Sequence, residues 1–245
     1  MHNTQVQSPE ILRMLAHPLR WRLVKTLSNS DRRVQELVDA LQQPYNLVSY
    51  HLKLLRESKL VVLRKSDADS RDLYYSLNME RLQEDYQNVA YAIHPGWVWK
   101  EALQVPVHPI PRRVLFLCTH NSARSQMAEG ILRHLGGDNY LVASAGTLPQ
   151  QVRPETTIVT KEMGIDISKQ RSKHITELKG QTFDDVITVC DRVREVCPTY
   201  DISNPTIHWS IPDPASIQDP AERLQAFTST AHELERRIRQ FMYYS

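Results

Sequence analysis

Residues 114–130 read VLFLCTHNSARSQMAEG: an apolar run that ends on Cys118, a short polar stretch, and a helix-forming segment behind it. The apolar run is short enough for a buried strand, whereas SQMAEGILRHL (125–135) spaces its apolar residues as a helix does. The same alternation continues downstream. YLVASAGT (140–147) reads as a strand, PETTIVTKEMG (154–164) as a helix and DDVITVC (184–190) as a strand, with a long closing helix from about Pro220. Strands alternating with helices predict an α/β unit with a parallel sheet and helices on both faces.

Upstream the composition changes. Gly96 is the only glycine before residue 125, and the cysteines, Cys118, Cys190 and Cys197, all lie beyond residue 115. Between the halves runs HPGWVWKEALQVPVHPIPRR (94–113), with Pro95, Pro106, Pro109 and Pro111, a spacing that neither helix nor strand tolerates. The expected organisation is therefore residues 1–94, a proline-rich linker over 95–111, and residues 112–245. In the first part SPEILRMLAHPLRWRLVKTL (8–27) carries helical spacing parted at Pro18. RRVQELVDAL (32–41) and YNLVSYHLKLLRESK (45–59) follow as helices joined by QQP, then LVVLRK (60–65) and RDLYYSL (71–77) as strands around the turn SDADS. Two helices, a turn, a helix and a hairpin in this order describe an α+β winged helix-turn-helix.

The chain has 245 residues, 41% of them hydrophobic, a formal charge of +2 and a pI near 8.4. That balance is too mild to indicate nucleic-acid binding, so any such case rests on local pattern. No run reaches the roughly 20 apolar residues of a membrane span, and MHNTQVQSPE lacks the order of a signal peptide. A cytoplasmic protein without membrane contact is expected, and three cysteines are then packing residues or a working set rather than a disulfide scaffold.

The helix 45–59 presents Asn46, Ser49, Tyr50 and Lys53 near its N-terminal end, where a recognition helix meets base edges. Lys53 with Arg56, Lys59, Arg64, Lys65 and Arg71 makes a basic patch over residues 53–71, outnumbering Glu57, Asp67 and Asp69 two to one. On periodicity alone, a small helical domain used for dimerisation fits equally. The segments HPLRWRLVKTL, VSYHLKLLRESKLV and RDLYYSLN resemble those of ArsR-type winged-helix repressors over roughly residues 8–90. The resemblance implies a homodimer formed through terminal helices and a palindromic operator released when a metal or metalloid binds. One departure limits it: the helix VQELVDALQQ lacks the paired cysteines of arsenite-sensing members. His17, His51 and His94 have no ligand partners at a recognisable spacing, so no metal site is expected.

In the second half, a loop entering a helix N-terminus aims several backbone N–H groups at one spot, and the helix dipole adds positive charge. Thr119, His120, Asn121, Ser122, Ala123, Arg124 and Ser125 would thus form an oxyanion cradle. Arg124 supplies a planar fork, and Ser125 a hydrogen bond to a Cys118 thiolate favoured by the same field. C-x5-R alone is weak; set at a strand-to-helix junction with Ser125 after it, the pattern is strong. Cys190 and Cys197 would stand about 10.5 Å apart at their α carbons if the residues between were helical. A disulfide needs about 4.4–6.8 Å, so the segment would have to unwind or loop.

The loop resembles the phosphate loop of low-molecular-weight protein tyrosine phosphatases and of their relatives, the thioredoxin-coupled arsenate reductases, over about residues 112–243. The second relative implies a three-thiol relay. Cys118 attacks arsenate, Cys190 attacks Cys118 with release of arsenite, and Cys197 attacks Cys190 to give a disulfide for thioredoxin to reduce. No tightly bound cofactor is implied. By the same resemblance Asp213 in IPDPAS is the general acid, Asn121 holds the loop geometry and Ser144 supports it. Three positions depart from the pattern: Ala123 where many phosphatases have a second cysteine, His120 where glycine is usual, and Lys173 where potassium-binding relatives carry an aspartate, so that its ammonium stands in for the ion. The expected function is arsenate reduction fused to a DNA-binding regulator of arsenic resistance. The alternatives are a phosphatase fused to a regulator, or a regulator whose second domain senses arsenic or redox state.

Overall fold

The structure, a computed structural model, describes residues 8–94, 110–196 and 206–244. Cys197, Trp97, Trp99 and most of the expected linker, residues 95–109, lie outside the described residues. The chain divides into two compact units, Met1–Lys65 with Asp72–Ala102 and Leu103–Ser245 with Ser66–Arg71. Among the described residues no helix is long and apolar enough to cross a membrane.

In the first unit α1 (Glu10–Leu15) and α2 (Pro18–Asn29) are parted where expected. His17 caps α2, its Nδ1 accepting the Leu19 N–H at 3.2 Å, and Pro18 occupies the first turn, where a missing N–H is harmless. In α3 (Val34–Leu41) the Glu36 carboxylate accepts the Arg33 N–H at 2.7 Å, and Gln42 ends the helix with φ +52°. The next helix, α4 (Tyr45–Glu57), buries Val48, Leu52 and Leu55 against Leu23, Leu27 and Leu37. Strands β1 (Val61–Lys65) and β2 (Leu73–Leu77) pair antiparallel, Val61 opposite Leu77. A further helix not distinguished in the sequence, α5 (Met79–Ile93), starts at Asn78, whose side chain accepts the Arg81 N–H.

In the second unit β3 (Arg112–Cys118) is flanked by β4 (Tyr140–Gly146) and β5 (Asp185–Thr188), and β5 by β6 (Ile207–His208), all parallel, in the order β4-β3-β5-β6. Val114 to Leu117 are at most 1% exposed, the continuous burial expected of a parallel strand covered on both faces. Helices α6 (Arg124–Gly136), α7 (Pro154–Glu162) and α9 (Pro220–Tyr244) pack on one another, while α8 (Asp191–Val196) follows β5. From β3 the chain moves first to one side, to β4, and later to the other, to β5. That reversal opens a crevice at the C-terminal ends of the strands, where α/β sheets bind ligands.

Candidate functional site

Cys118 is the last residue of β3, and its Sγ lies in this crevice. The Asn121 N–H donates to it at 3.1 Å, and Ser125 Oγ stands 2.8 Å away. Asn121 Nδ2 donates to that same Ser125 oxygen at 2.9 Å, which leaves the hydroxyl hydrogen free to point at the sulfur. The same amide donates to Ser144 Oγ at 2.8 Å, and Ser144 in turn donates to Glu129 Oε2 at 2.5 Å. Asn121 Oδ1 accepts from the Lys173 N–H at 2.8 Å and from Gln126, so the amide has one orientation. Asn121 adopts φ +47°, a left-handed conformation that asparagine tolerates better than most residues.

Every carbonyl of the loop's first half is tied away from the sulfur. Thr119 O accepts from Leu148 N and His120 O from Gln150 N, each at 2.9 Å. Asn121 O accepts from Ser172 Oγ at 2.6 Å, and Ser122 O from Arg153 N at 3.0 Å and Thr156 Oγ1 at 2.9 Å. A peptide whose carbonyl points out points its N–H in, so these ties turn the following amides toward Cys118, the arrangement of an anion nest. Helix α6 starts at Arg124 and adds its own unpaired N–H groups. Gly146, opposite Cys118 in the ladder, lets the loop approach: a Cβ there would sit 2.6 Å from Thr119 O.

A cavity of about 100 Å³ opens over the sulfur, lined among others by Cys118, His120, Ser122, Arg124, Arg153 and Asp213. Arg124 is 7% exposed; its Nη1 donates to the Ile211 carbonyl at 2.7 Å, and its Nη2 lies 3.5 Å from Asp213 Oδ2. Burial works against its charge, yet the neighbouring Cys190, Asp213 and Cys118 outweigh burial and raise its pKa. Asp213 accepts the Ala215 N–H at 3.2 Å, and its side chain remains partly exposed.

Cys190 is buried one residue before α8, with Sγ 3.4 Å from Thr119 Oγ1 at the start of the cradle. Burial first, and the charge on Cys118 second, push its thiol pKa up; Arg124 and Thr119 oppose them. Below this turn the His208 imidazole bridges Thr188 Oγ1 at 2.8 Å and Asp191 Oδ1 at 3.1 Å, with His208 and Asp191 at most 1% exposed.

The structure therefore brings together Cys118, Thr119, His120, Asn121, Ser122, Ala123, Arg124, Ser125, Cys190 and Asp213; Cys197 lies outside the described residues. Lys173 Nζ lies 3.6 Å from Glu129 Oε2 and Arg133 engages Glu129 Oε1, so two cations face that carboxylate. Sequence reasoning missed Glu129, Arg153, Ser172 and His208, which act through contacts 15 to 51 residues away in the chain that no local spacing records. Among the described residues no three His, Cys, Asp or Glu side chains are grouped to hold a metal ion.

In the first unit Asn46, Tyr50 and Lys53 are exposed on α4 and Ser49 half-buried beside them, on the side away from Val48 and Leu52. Arg71, in the loop between β1 and β2, is exposed, its guanidinium held by Asp69 at 2.6 Å, which spends part of its charge within the chain.

The family model for low molecular weight phosphotyrosine protein phosphatases matches residues 113–244, and that for bacterial regulatory proteins of the arsR family matches residues 17–62. The arsenate reductase of Halalkalibacterium halodurans is 40% identical over 129 residues, 52% of this chain and 93% of that protein. That of Bacillus subtilis is 37% identical over 129 residues, with the same coverage. A solved arsenate reductase in the oxidized state aligns with a TM-score of 0.46 at 30% identity, over 54% of this chain and 96% of that one.

Proposed function

The chain belongs to the low molecular weight phosphotyrosine protein phosphatase family and carries an arsR-family helix-turn-helix ahead of that domain, and from this premise we propose that its second domain reduces arsenate to arsenite with thioredoxin as reductant. The observation that carries the reading is the second thiol: Cys190 lies against Thr119 at the cradle, a place a hydrolase has no need to fill with sulfur. The identity to arsenate reductases over nearly their whole length supports it. So does the cavity, whose volume suits a bare tetraoxyanion and whose lining, among the described residues, has no aromatic ring other than the His120 imidazole to receive an aryl ester.

The Cys118 thiolate displaces one arsenate hydroxyl, which takes a proton from Asp213 and leaves as water while a sulfur–arsenic bond forms. Loop N–H groups and Arg124 hold the remaining oxygens. Cys190 then attacks Cys118 Sγ; the sulfur–arsenic electron pair stays on arsenic, arsenite leaves, and a Cys118–Cys190 disulfide remains. Cys197 attacks Cys190, frees the Cys118 thiolate, and presents a Cys190–Cys197 disulfide to thioredoxin. For this α8 must open, because six helical residues hold the neighbours of the two cysteines apart.

The first domain, taken as residues 1–94 and joined by the 95–111 linker to 112–245, binds operator DNA as a homodimer, with Asn46, Ser49, Tyr50 and Lys53 facing bases and Arg71 a phosphate. Arsenate-dependent NADPH oxidation with thioredoxin and thioredoxin reductase, run beside Cys197→Ser, tests the enzyme: turnover in the wild type and none in the variant is expected. No turnover in the wild type, with cleavage of a phosphate ester by the same sample, would return the domain to the phosphatases. Titrating a labelled operator with reduced, oxidised and arsenite-treated protein tests regulation; equal affinities in all three would remove sensing.

A further inference from the structure

Two arginines border the cavity, and they are differently committed. The Arg124 guanidinium is buried and shared with the Ile211 carbonyl and the Asp213 carboxylate. Arg153 is anchored by its backbone: its N–H donates to the Ser122 carbonyl at 3.0 Å, and its own carbonyl accepts the Thr156 N–H at 3.0 Å at the start of α7. Its side chain is half-buried and makes no hydrogen bond or salt bridge with any described residue. Glu155, two residues on, is held by Arg223 Nε at 2.7 Å and reaches Arg153 through its charge alone, without a hydrogen bond.

A guanidinium fixed at its root, beside a small anion-shaped cavity and with no carboxylate of a described residue in hydrogen-bond contact, is an open anion contact. The charges around the sulfur point the same way. Arg124 alone faces both the Cys118 thiolate and an incoming dianion, and the neighbouring acid Asp213, 3.5 Å from it, adds no positive charge; Arg153 supplies a second one. We propose that Arg153 is a second arginine of the oxyanion site, which binds the free tetraoxyanion and favours its dianionic form. The inference rests on the oxyanion reading of the cradle, and it adds a specificity-determining residue to that reading.

The test needs no turnover. Inorganic phosphate is titrated against alkylation of Cys118 by iodoacetamide, located by peptide mass spectrometry, in the full-length wild type, Arg153→Ala and Arg153→Lys. In the wild type phosphate should protect, and better as pH rises through its second ionisation. Arg153→Ala should raise the half-protecting concentration about tenfold or more and flatten that pH dependence, while Arg153→Lys recovers part of the loss. Half-protection within twofold of the wild type in Arg153→Ala would overturn the proposal. So would no recovery by Arg153→Lys in a protein with wild-type circular dichroism, since the loss would then come from packing. Absence of protection in the wild type would overturn both this proposal and the oxyanion site. Arginine-dependent protection in a chain that never reduces arsenate would keep Arg153 as an anion contact and remove the reductase reading. With turnover, Arg153→Ala should raise KM for arsenate and leave kcat within about threefold.

Discussion

Two cysteines leave the same edge of one sheet from adjacent parallel strands, and their surroundings differ in kind. After β3, the turn from Cys118 to Arg124 is tied by carbonyls at four successive residues, crossed by the Asn121 amide, and followed by the 13-residue α6. After β5, the turn at Cys190 enters the six-residue α8, anchored at its first residue by the His208–Asp191 contact. A six-residue helix is too short to be stable on its own, whereas the first turn is over-determined by its shell. Under the proposed relay the difference is a division of labour: one thiol is held still for an anion, and the other heads a segment able to open.

The largest effect should come from removing the held thiol. Cys118→Ser should lower arsenate turnover by about 10⁴-fold or more, measured as arsenite production; residual turnover near wild type would mean that another thiol attacks. Next, His208→Ala strips a buried partner from Asp191 and should cost about 2–3 kcal/mol in urea unfolding, without weakening phosphate protection of Cys118. A variant as stable as the wild type would mean that the second turn is anchored elsewhere. Gly146→Ala acts on the other side of the comparison. Its Cβ would drive Thr119 O outward, at a cost of about 2 kcal/mol or roughly thirtyfold in phosphate affinity. Unchanged affinity would show that the cradle is less tightly determined than its hydrogen bonds imply.

A further effect is in pH. In the proposed relay Cys190 attacks as the thiolate, and burial, which persists once Cys118 is bonded to arsenic, holds its pKa above that of a free thiol. Between pH 6.5 and 8.5 the thiolate fraction, and with it the single-turnover rate of arsenite release, should rise about tenfold per unit. A rate flat over that range, read by rapid quench without external reductant, would mean that Cys190 is already ionised or that its attack is not limiting.

The contrast between the turns also explains what the sequence discloses. Strand, loop and helix around Cys118 follow one another without interruption, so their apolar periodicity and the C-x5-R spacing made both fold and cradle readable. The winged half was equally plain, because His17-Pro18 and the turn at Gln42 punctuate its helices locally. Strand β6 is two residues long, too short for any alternation to register, and β5 ends at Thr188 rather than at Cys190, although the Val189 N–H still reaches Leu117 O. Arg153 and Ser172 reach the loop only through tertiary folding. Nothing in PQQVRPE distinguishes an arginine at an anion site from one on a surface.

The relay is tested most directly by incubating reduced Cys197→Ser with arsenate, without thioredoxin, and measuring arsenite per chain together with the disulfides formed. One equivalent of arsenite and a trapped Cys118–Cys190 disulfide are expected, because the variant completes the chemical step and cannot pass the disulfide on. No arsenite, or one equivalent released with Cys190 still a free thiol, would contradict the division of labour between the two turns.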